Sequence, residues 1–470
     1  MSNPLDKFAR LAALKPACKV APRDTTLRPT DDTDLVGRLL GAGVARNDFG
    51  EHLAIRNWYS TPEFCQPSES ALDLLSRVTG PAASKAAHST GRLFPHYRDE
   101  STALRTRAAL ENPEKWLFLD TETTGLSGGT GTYAFLVGLA WWDAGGLQVE
   151  QLFLRDFSEE ISLLHELSLR IAERPVLITF NGKTFDWPLL QSRFTMTRKI
   201  AVPKLAAHLD LLHPARALWK LRLNSVRLVE LERHVLNPDR LGWHREDDIA
   251  SSQIPQYYFD YLRGGRPDPL AGVAKHNAMD LRGLAALYGK IDGLLDERES
   301  NLTETNSLDL FGLSRFMNRR GEKHRAHSLC TRALDAGLPS TFRRQATTEL
   351  AMMAKSRGDW EAAVSLWKEL ACNPRDGIAA CEQLAMYYER RGKDCAQALE
   401  YANLGLAKAG QAKWLCREPF TAGRMEQWEQ KFRRRLERLR NRMNLRKSAG
   451  RLPLPDSTGA TGSLERQSSR

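Results

Sequence analysis

Three short stretches hold the residues whose types and spacing could do chemistry. The first, Phe118-Leu-Asp120-Thr-Glu122-Thr123-Thr124-Gly125-Leu126, is an apolar run that ends in two carboxylates two residues apart. Side chains at i and i+2 of a strand point to one face, so Asp120 and Glu122 project together from the strand end. Carboxylates this close repel, and keeping a proton or recruiting a cation relieves the repulsion. Hard oxygen ligands favour Mg²⁺ or Mn²⁺. The second stretch runs from Leu177 through Phe180-Asn181-Gly182-Lys183-Thr184-Phe185-Asp186. It reads as a buried strand, a glycine turn, and Asp186 opening a helix with Pro188 in its first turn. Asp186 is then either an ordinary N-cap or an acid delivered to the strand end. The third is His276-Asn-Ala-Met-Asp280. Positions i and i+4 share a helix face, so His276 and Asp280 point the same way.

The elements that must position these residues can be read from the hydrophobic pattern. Trp116–Leu119, Tyr133–Trp142 and Val176–Phe180 are apolar strand-like runs, and Leu147–Arg155 alternates as a half-buried strand does. Glu159–Glu173 has helical spacing through Ile161, Leu164, Leu167 and Ile171. Asp186–Arg193 starts a helix, and Asp268–Ile291 has Leu281, Leu284, Ala285 and Tyr288 on one face. Consecutive strands followed by βα alternation predict an α/β domain over 116–295, with a mixed central sheet flanked by helices.

Outside that domain the pattern changes. Residues 1–45 are short apolar patches broken by Pro, Asp, Thr and Gly, and are expected to be disordered. Residues 46–115 read as an extension packing on the α/β domain, with a strand-like run Glu51–Tyr59 and a helical stretch Ala71–Val78. Residues 307–410 are helical and repetitive. Gly321, Gly358 and Gly392 follow similar helical segments, 37 and 34 residues apart, a period that resembles the tetratricopeptide repeat. Each glycine is expected at a turn that needs positive φ. Residues 411–447 form a basic helix with ten Lys/Arg and three Glu between Arg424 and Lys447. Trp428, Phe432, Leu436, Leu439 and Met443 recur along it, so it reads as a cap on the last repeat or as a nucleic-acid contact. The Ser/Gly/Arg-rich tail 448–470 is expected to be disordered.

Composition bounds the rest. The chain has 470 residues, 42% hydrophobic and 27% charged, which excludes wholesale disorder. No run approaches the ~18 apolar residues of a membrane span, and Met1–Arg23 has no apolar core of a secretory signal. Seven cysteines without a C-x-x-C pair suit a reducing cytoplasm rather than a disulfide framework. The expected setting is therefore cytoplasmic, with no membrane partner. The net charge of +11 favours anionic partners.

Taken in chain order, Asp-x-Glu, then Asn…Phe-Asp, then the His/Asp pair resembles the DEDD exonuclease pattern on a ribonuclease H-like fold. More closely, Asp120-Thr-Glu-Thr-Thr-Gly-Leu, Gly128-Gly-Thr-Gly-Thr-Tyr133, Asn181-Gly-Lys-Thr-Phe-Asp186, His208-Leu-Asp210-Leu-Leu-His213 and His276-Asn277 resemble the YprB family. In that family such a domain is joined to tetratricopeptide repeats. The resemblance implies a metal-dependent 3′–5′ exonuclease acting on single-stranded DNA or RNA ends. Asp120, Glu122, Asp186 and Asp280 would hold two ions, Mg²⁺ or Mn²⁺, with His276 as general base or water-orienting group. Thr123, Gly125, Leu126, Asn181 and Lys183 would line the substrate. One departure stands out: His276 is four residues before the last Asp, the spacing of the Tyr-type enzymes, whereas the His-type place it five before.

Several residues keep two readings. Asn181 and Lys183 touch phosphate or form a solvated turn. Leu126 wedges against the last base or packs in the core, and the Gly128–Gly131 run lets backbone approach the terminal nucleotide or is only a flexible hairpin. Asp210 is a further acid near the site or a support for it, while Asp247 and Asp248 read as caps. Trp141, Trp142 and Trp187 read as core rather than stacking platforms. The repeats suit a protein partner. The competing function is a catalytically silent adaptor for nucleic acid or protein on the same fold.

Overall fold

In the computed structural model the described residues are 28–29, 34–60, 108–125, 131–143, 145–245, 248–295, 305–373, 377–415 and 419–449. They divide into two units, 1–321 and 322–470.

The apolar runs of the first unit form one mixed sheet. Its strands are β1 (Arg28–Pro29), β2 (Gly43–Asn47), β3 (Gly50–Tyr59), β4 (Trp116–Thr123), β5 (Ala134–Asp143), β6 (Gly146–Phe153), β7 (Val176–Thr179) and β8 (Ala207–Asp210). They lie in the order β1-β2-β3-β6-β5-β4-β7-β8. β4 pairs with β7, and β7 with β8, in parallel; the remaining pairs are antiparallel. The helices of this unit are α1 (Leu35–Leu40), α2 (Glu160–Glu173), α3 (Asp186–Thr197), α4 (Leu212–Trp219), α5 (Leu228–Leu231), α6 (Pro238–Leu241), α7 (Ile254–Leu262), α8 (Asp268–Leu295) and α9 (Ser307–Arg320), with a π-helical turn at Glu232–Leu236.

The core lies where helices cover β4, β5 and β6. Residues Ala134–Ala140 of β5 are all buried, as strands covered on both faces must be. Trp116 packs edge-on against Tyr288 of α8, with ring centroids 5.1 Å apart, and Phe118 against Trp142 at 5.0 Å. Such T-shaped pairs align ring edge with ring face. Trp142 is therefore core, and Trp141 lies under the guanidinium of Arg174, 4.5 Å from the ring centre. Trp141 and Trp187 pack against a second cluster, which contains Leu117, Leu119 and Leu190. α8 approaches β5 closely because Gly138 has no side chain: a methyl there would overlap Asn277 and Leu281.

Three expectations need correction here. Residues 34–45, expected to be disordered, are ordered structure. Asp34 caps α1 by accepting from the Gly37 N–H at 2.8 Å, Gly41 ends it at φ 60°, and β2 pairs with β3. The run Glu51–Tyr59, expected in an extension packing on the domain, is a strand of the sheet itself, paired with β6 from Leu53↔Phe153 to Tyr59↔Leu147. β6, expected to be half-buried, is buried at every residue but Gln148. Its polar Glu150 lies inside because Arg56 and Arg170 pair with it at 2.7 and 2.6 Å. The stretch 71–78 lies outside the described residues, as do 1–27 and 450–470.

α9, the first helix of the expected repeat region, packs on the α/β unit. Its Gly312 faces the Leu218 carbonyl so closely that a methyl would overlap it, and Asp309 pairs with Arg222 at 2.8 Å. The second unit contains α10 (Lys323–Asp335), α11 (Ser340–Arg357), α12 (Trp360–Ala371), α13 (Gly377–Arg390), α14 (Cys395–Leu415) and α15 (Pro419–Ala449). Gly321 and Gly358 have the left-handed conformation expected of them, at φ 89° and 82°. At the third turn the positive φ falls on Lys393, at 49°, while Gly392 donates its N–H to Tyr387.

The basic helix starts at Pro419 rather than 411, residues 411–415 being the end of α14. It caps the last repeat. Phe432 fills the space over Gly405, Arg435 and Arg438 pair with Glu389 at 2.9 Å, and Lys431 pairs with Glu382 at 2.5 Å. Among the described residues no helix is long and apolar enough to cross a membrane.

Candidate metal centre and active site

β4 emerges from the core at the point where its sequence turns acidic. Trp116 to Leu119 are at most 1% exposed, and Asp120 to Thr123 are half-buried. Alternation puts Asp120 and Glu122 on one face. A register shift at Glu122/Thr123 ends the regular pairing with β5, and bulges of this kind re-aim side chains. The Thr123 hydroxyl donates to the Gly125 carbonyl at 2.8 Å, and Thr124 exchanges hydrogen bonds with the Tyr133 backbone at 2.9 Å. Thr123 and Gly125 therefore hold the turn after the strand. Leu126 and Gly128 lie outside the described residues.

Asp186 is delivered by the turn after β7. Asn181 takes φ 68°, and Gly182 sits where a Cβ would come 2.5 Å from that of Thr179. The turn is held from below by Asp210, at the end of β8. Its carboxylate accepts from the backbone N–H groups of Asn181, Lys183 and Leu212 at 2.8, 3.2 and 3.1 Å. Asp210 is thus a support for the loop that carries Asp186. Lys183 is half-buried and its ammonium lies below the usual lysine range because of burial, with Asp210 opposing. Phe185, just before Asp186, is 54% exposed.

α8 supplies the remaining groups. Asn277 donates to Asp120 Oδ2 at 2.8 Å and accepts from Gln151 at 2.9 Å. The Thr121 hydroxyl donates to Asp186 Oδ1 at 2.5 Å. Arg245 donates to Asp280 Oδ1 at 2.5 Å, to Glu232 at 2.6 Å and to Asp248 at 3.0 Å. Each of the three aspartates therefore has one oxygen tied to a positioning side chain. His276 is 5% exposed, and its Nδ1 lies 2.8 Å from Asp248 Oδ2. Its Nε2 lies 3.5 Å from Asp280 Oδ2.

The acids act on one another electrically. Burial raises the Asp120 carboxyl well above its usual range, and the charges of Asp280, Glu122 and Asp186 raise it further. Burial, Asp280, Asp186 and Asp248 do the same to Glu122, with Arg245 opposing. Burial pushes Asp186 up to about 6 against the hydrogen bond from Thr121. Carboxyls held together with too little counter-charge are the environment a divalent cation neutralises. The donor set fits a divalent ion: carboxylate oxygens with one imidazole nitrogen, the ligand atoms of Glu122, His276 and Asp280 all lying within 4.8 Å of one another.

The sequence reading missed Arg245, Asp248 and Glu232. The dense charge of His244-Arg-Glu-Asp-Asp248 was the available signal, but Asp248 reads locally as a cap. A cavity of about 530 Å³ lies on the other face of α8, lined by Tyr59, Trp243, Lys275, Met279 and Arg282. It is separate from the acids.

Residues 117–292 match the RNase_H superfamily, and residues 308–407 match a tetratricopeptide-repeat family. The chain is also similar to the Bacillus subtilis (strain 168) protein YprB, described as uncharacterized. The two are 32% identical over 304 residues, which span 63% of this chain and 70% of that one.

Proposed function

We propose that this chain, which belongs to the YprB family of ribonuclease H-superfamily proteins with tetratricopeptide-like repeats, is a DEDD-type 3′–5′ exonuclease. Its substrate is a single-stranded DNA or RNA end, and its cofactor a pair of Mg²⁺ or Mn²⁺ ions. The observation that carries this reading is the meeting of Asp120, Glu122, Asp186 and Asp280 at one place, where burial raises the proton affinity of Asp120, Glu122 and Asp186 and the neighbouring acids raise that of Asp120 and Glu122 further.

Divalent ions bound there supply an activated water and stabilise the leaving oxygen of a phosphodiester. The protein's own part is to hold and aim. Asn277, Thr121 and Arg245 each fix one aspartate oxygen. Asp210 shapes the loop that brings Asp186 in. Phe185 and Lys183, on that same loop, are the groups a terminal base and its phosphate would meet. The helical repeats are the surface for a protein partner, and the cytoplasm is the compartment this assignment suits.

One observation favours the silent adaptor: Arg245 already gives Asp280 a cationic partner. The test is incubation of the full-length protein with 3′- and 5′-labelled single-stranded DNA and RNA, in Mg²⁺ or Mn²⁺, beside an Asp120→Asn/Glu122→Gln variant. Stepwise shortening from the 3′ end, lost in the variant, supports the exonuclease and identifies the sugar. Binding without cleavage of either substrate supports the adaptor.

A further inference from the structure

His276 is buried, one turn before Asp280 on α8. Both oxygens of Asp248 lie at hydrogen-bond distance from its Nδ1, 2.9 and 2.8 Å. A carboxylate there holds the proton on Nδ1, so the lone pair of a neutral ring is on Nε2. Nε2 faces Asp280 Oδ2 at 3.5 Å and Ser251 Oγ at 3.4 Å. Arg245 takes the other oxygen of Asp280, so Oδ2 remains for a ligand. Glu122 completes a set of three ligand atoms within 4.8 Å of one another.

We propose that His276 is a metal ligand which, with Glu122 and Asp280, forms a mixed nitrogen–oxygen site that takes Mn²⁺ in preference to Mg²⁺, with Asp248 fixing the ring's tautomer. Imidazole suits transition metals, whereas Mg²⁺ keeps to oxygen. A ligating histidine characteristically gives its other N–H to a carboxylate, as His276 does to Asp248. The inference rests on the metal-dependent nuclease reading. It also gives a reason for a histidine at the tyrosine spacing.

The test is pulsed electron paramagnetic resonance of the metal-stripped full-length protein loaded with about two equivalents of Mn²⁺. The expected echo modulation is that of a directly bound ¹⁴N imidazole, replaced by the ¹⁵N pattern when histidine is ¹⁵N-labelled. His276→Gln should abolish it and weaken Mn²⁺ binding about tenfold or more, with a smaller effect on Mg²⁺. Asp248→Asn should keep the modulation and weaken Mn²⁺ about tenfold. If His276→Gln does not fold, the labelled wild-type protein decides alone. Mn²⁺ bound without nitrogen modulation, and lost in Glu122→Gln, overturns the histidine ligand and leaves the nuclease reading standing. Failure to bind Mn²⁺ at all overturns both.

Discussion

Asn277 of α8 hydrogen-bonds Asp120 of β4 at 2.8 Å, and the two meet across a gap that Gly138 leaves open on β5. Gly138 is the register partner of Asp120. Acid, amide and glycine therefore form one device: the missing side chain lets the helix come down, and the helix then aims the carboxylate. Gly138→Ala should push α8 off the sheet. Overpacking of a tight core costs about 1–3 kcal/mol, to be seen in urea unfolding. Mn²⁺ affinity should fall as well, because Asp120 loses its anchor. An unchanged Mn²⁺ affinity would detach Asn277 from the site.

Arg245 pairs with Glu232, Asp248 and Asp280 at once. Removing one partner of a buried ionic network leaves the others uncompensated and costs about 3–5 kcal/mol. Arg245→Met should lose stability of that order in metal-free buffer. Mn²⁺ should restore part of it, since a bound cation supplies the missing charge. Differential scanning calorimetry with and without Mn²⁺ measures both quantities. Equal losses in the two conditions would mean that the arginine and the metal do not share Asp280.

Phe185 is exposed beside Asp186. Stacking of a base on an aromatic ring contributes about 1–3 kcal/mol. Phe185→Ala should weaken single-strand binding accordingly, in fluorescence anisotropy with the Asp120→Asn/Glu122→Gln background to prevent cleavage. Thermal stability should hardly change. Unaltered binding would move the substrate path away from the 181–185 loop.

Two histidines, His52 buried and His208 half-buried, give the fold a defined acid sensitivity. Burial lowers His52 to about 4, with Glu150 opposing, and its Nδ1 meets the Ser162 hydroxyl at 2.9 Å. Burial and Lys183 lower His208 to about 4, with Asp210 opposing, and its Nε2 meets Thr179. Both rings are neutral in the folded protein and titrate near 6.5 when unfolded. Their contribution is fully present above pH 6.5 and is lost as pH falls from there toward 4. The slope is about 1.4 kcal/mol per pH unit for each histidine. Urea titrations from pH 7 to 5 should show this loss, and His208→Gln should remove about one proton from the slope. A slope unaffected by His208→Gln would mean that the ring is protonated in the fold.

What was legible in the sequence was what lies within a few residues of itself. The apolar run into Asp120-x-Glu122, the turn before Asp186 and the i/i+4 pair His276/Asp280 each state their own geometry. What was not legible comes from distance. Asp248 meets His276 across 28 residues, Arg245 meets Asp280 across 35, and Asn277 meets Asp120 across 157. Nothing in the local pattern of His244–Asp248 shows that it folds against α8. The same holds at the N-terminal side of the sheet. Residues 43–45 look like part of a broken apolar stretch until β2 pairs with β3, and the strand-like run Glu51–Tyr59 joins the sheet only through β6. At the third repeat turn Lys393, and not the glycine before it, adopts the left-handed conformation.

The central claim is that the carboxylates of β4, α3 and α8 form a divalent metal centre. Anomalous diffraction from crystals of the full-length protein soaked in Mn²⁺ tests it most directly. Manganese peaks bounded by Asp120, Glu122, Asp186 and Asp280 are the expected result. An absence of manganese there, with Arg245 still seated on Asp280 in the soaked crystal, would contradict it.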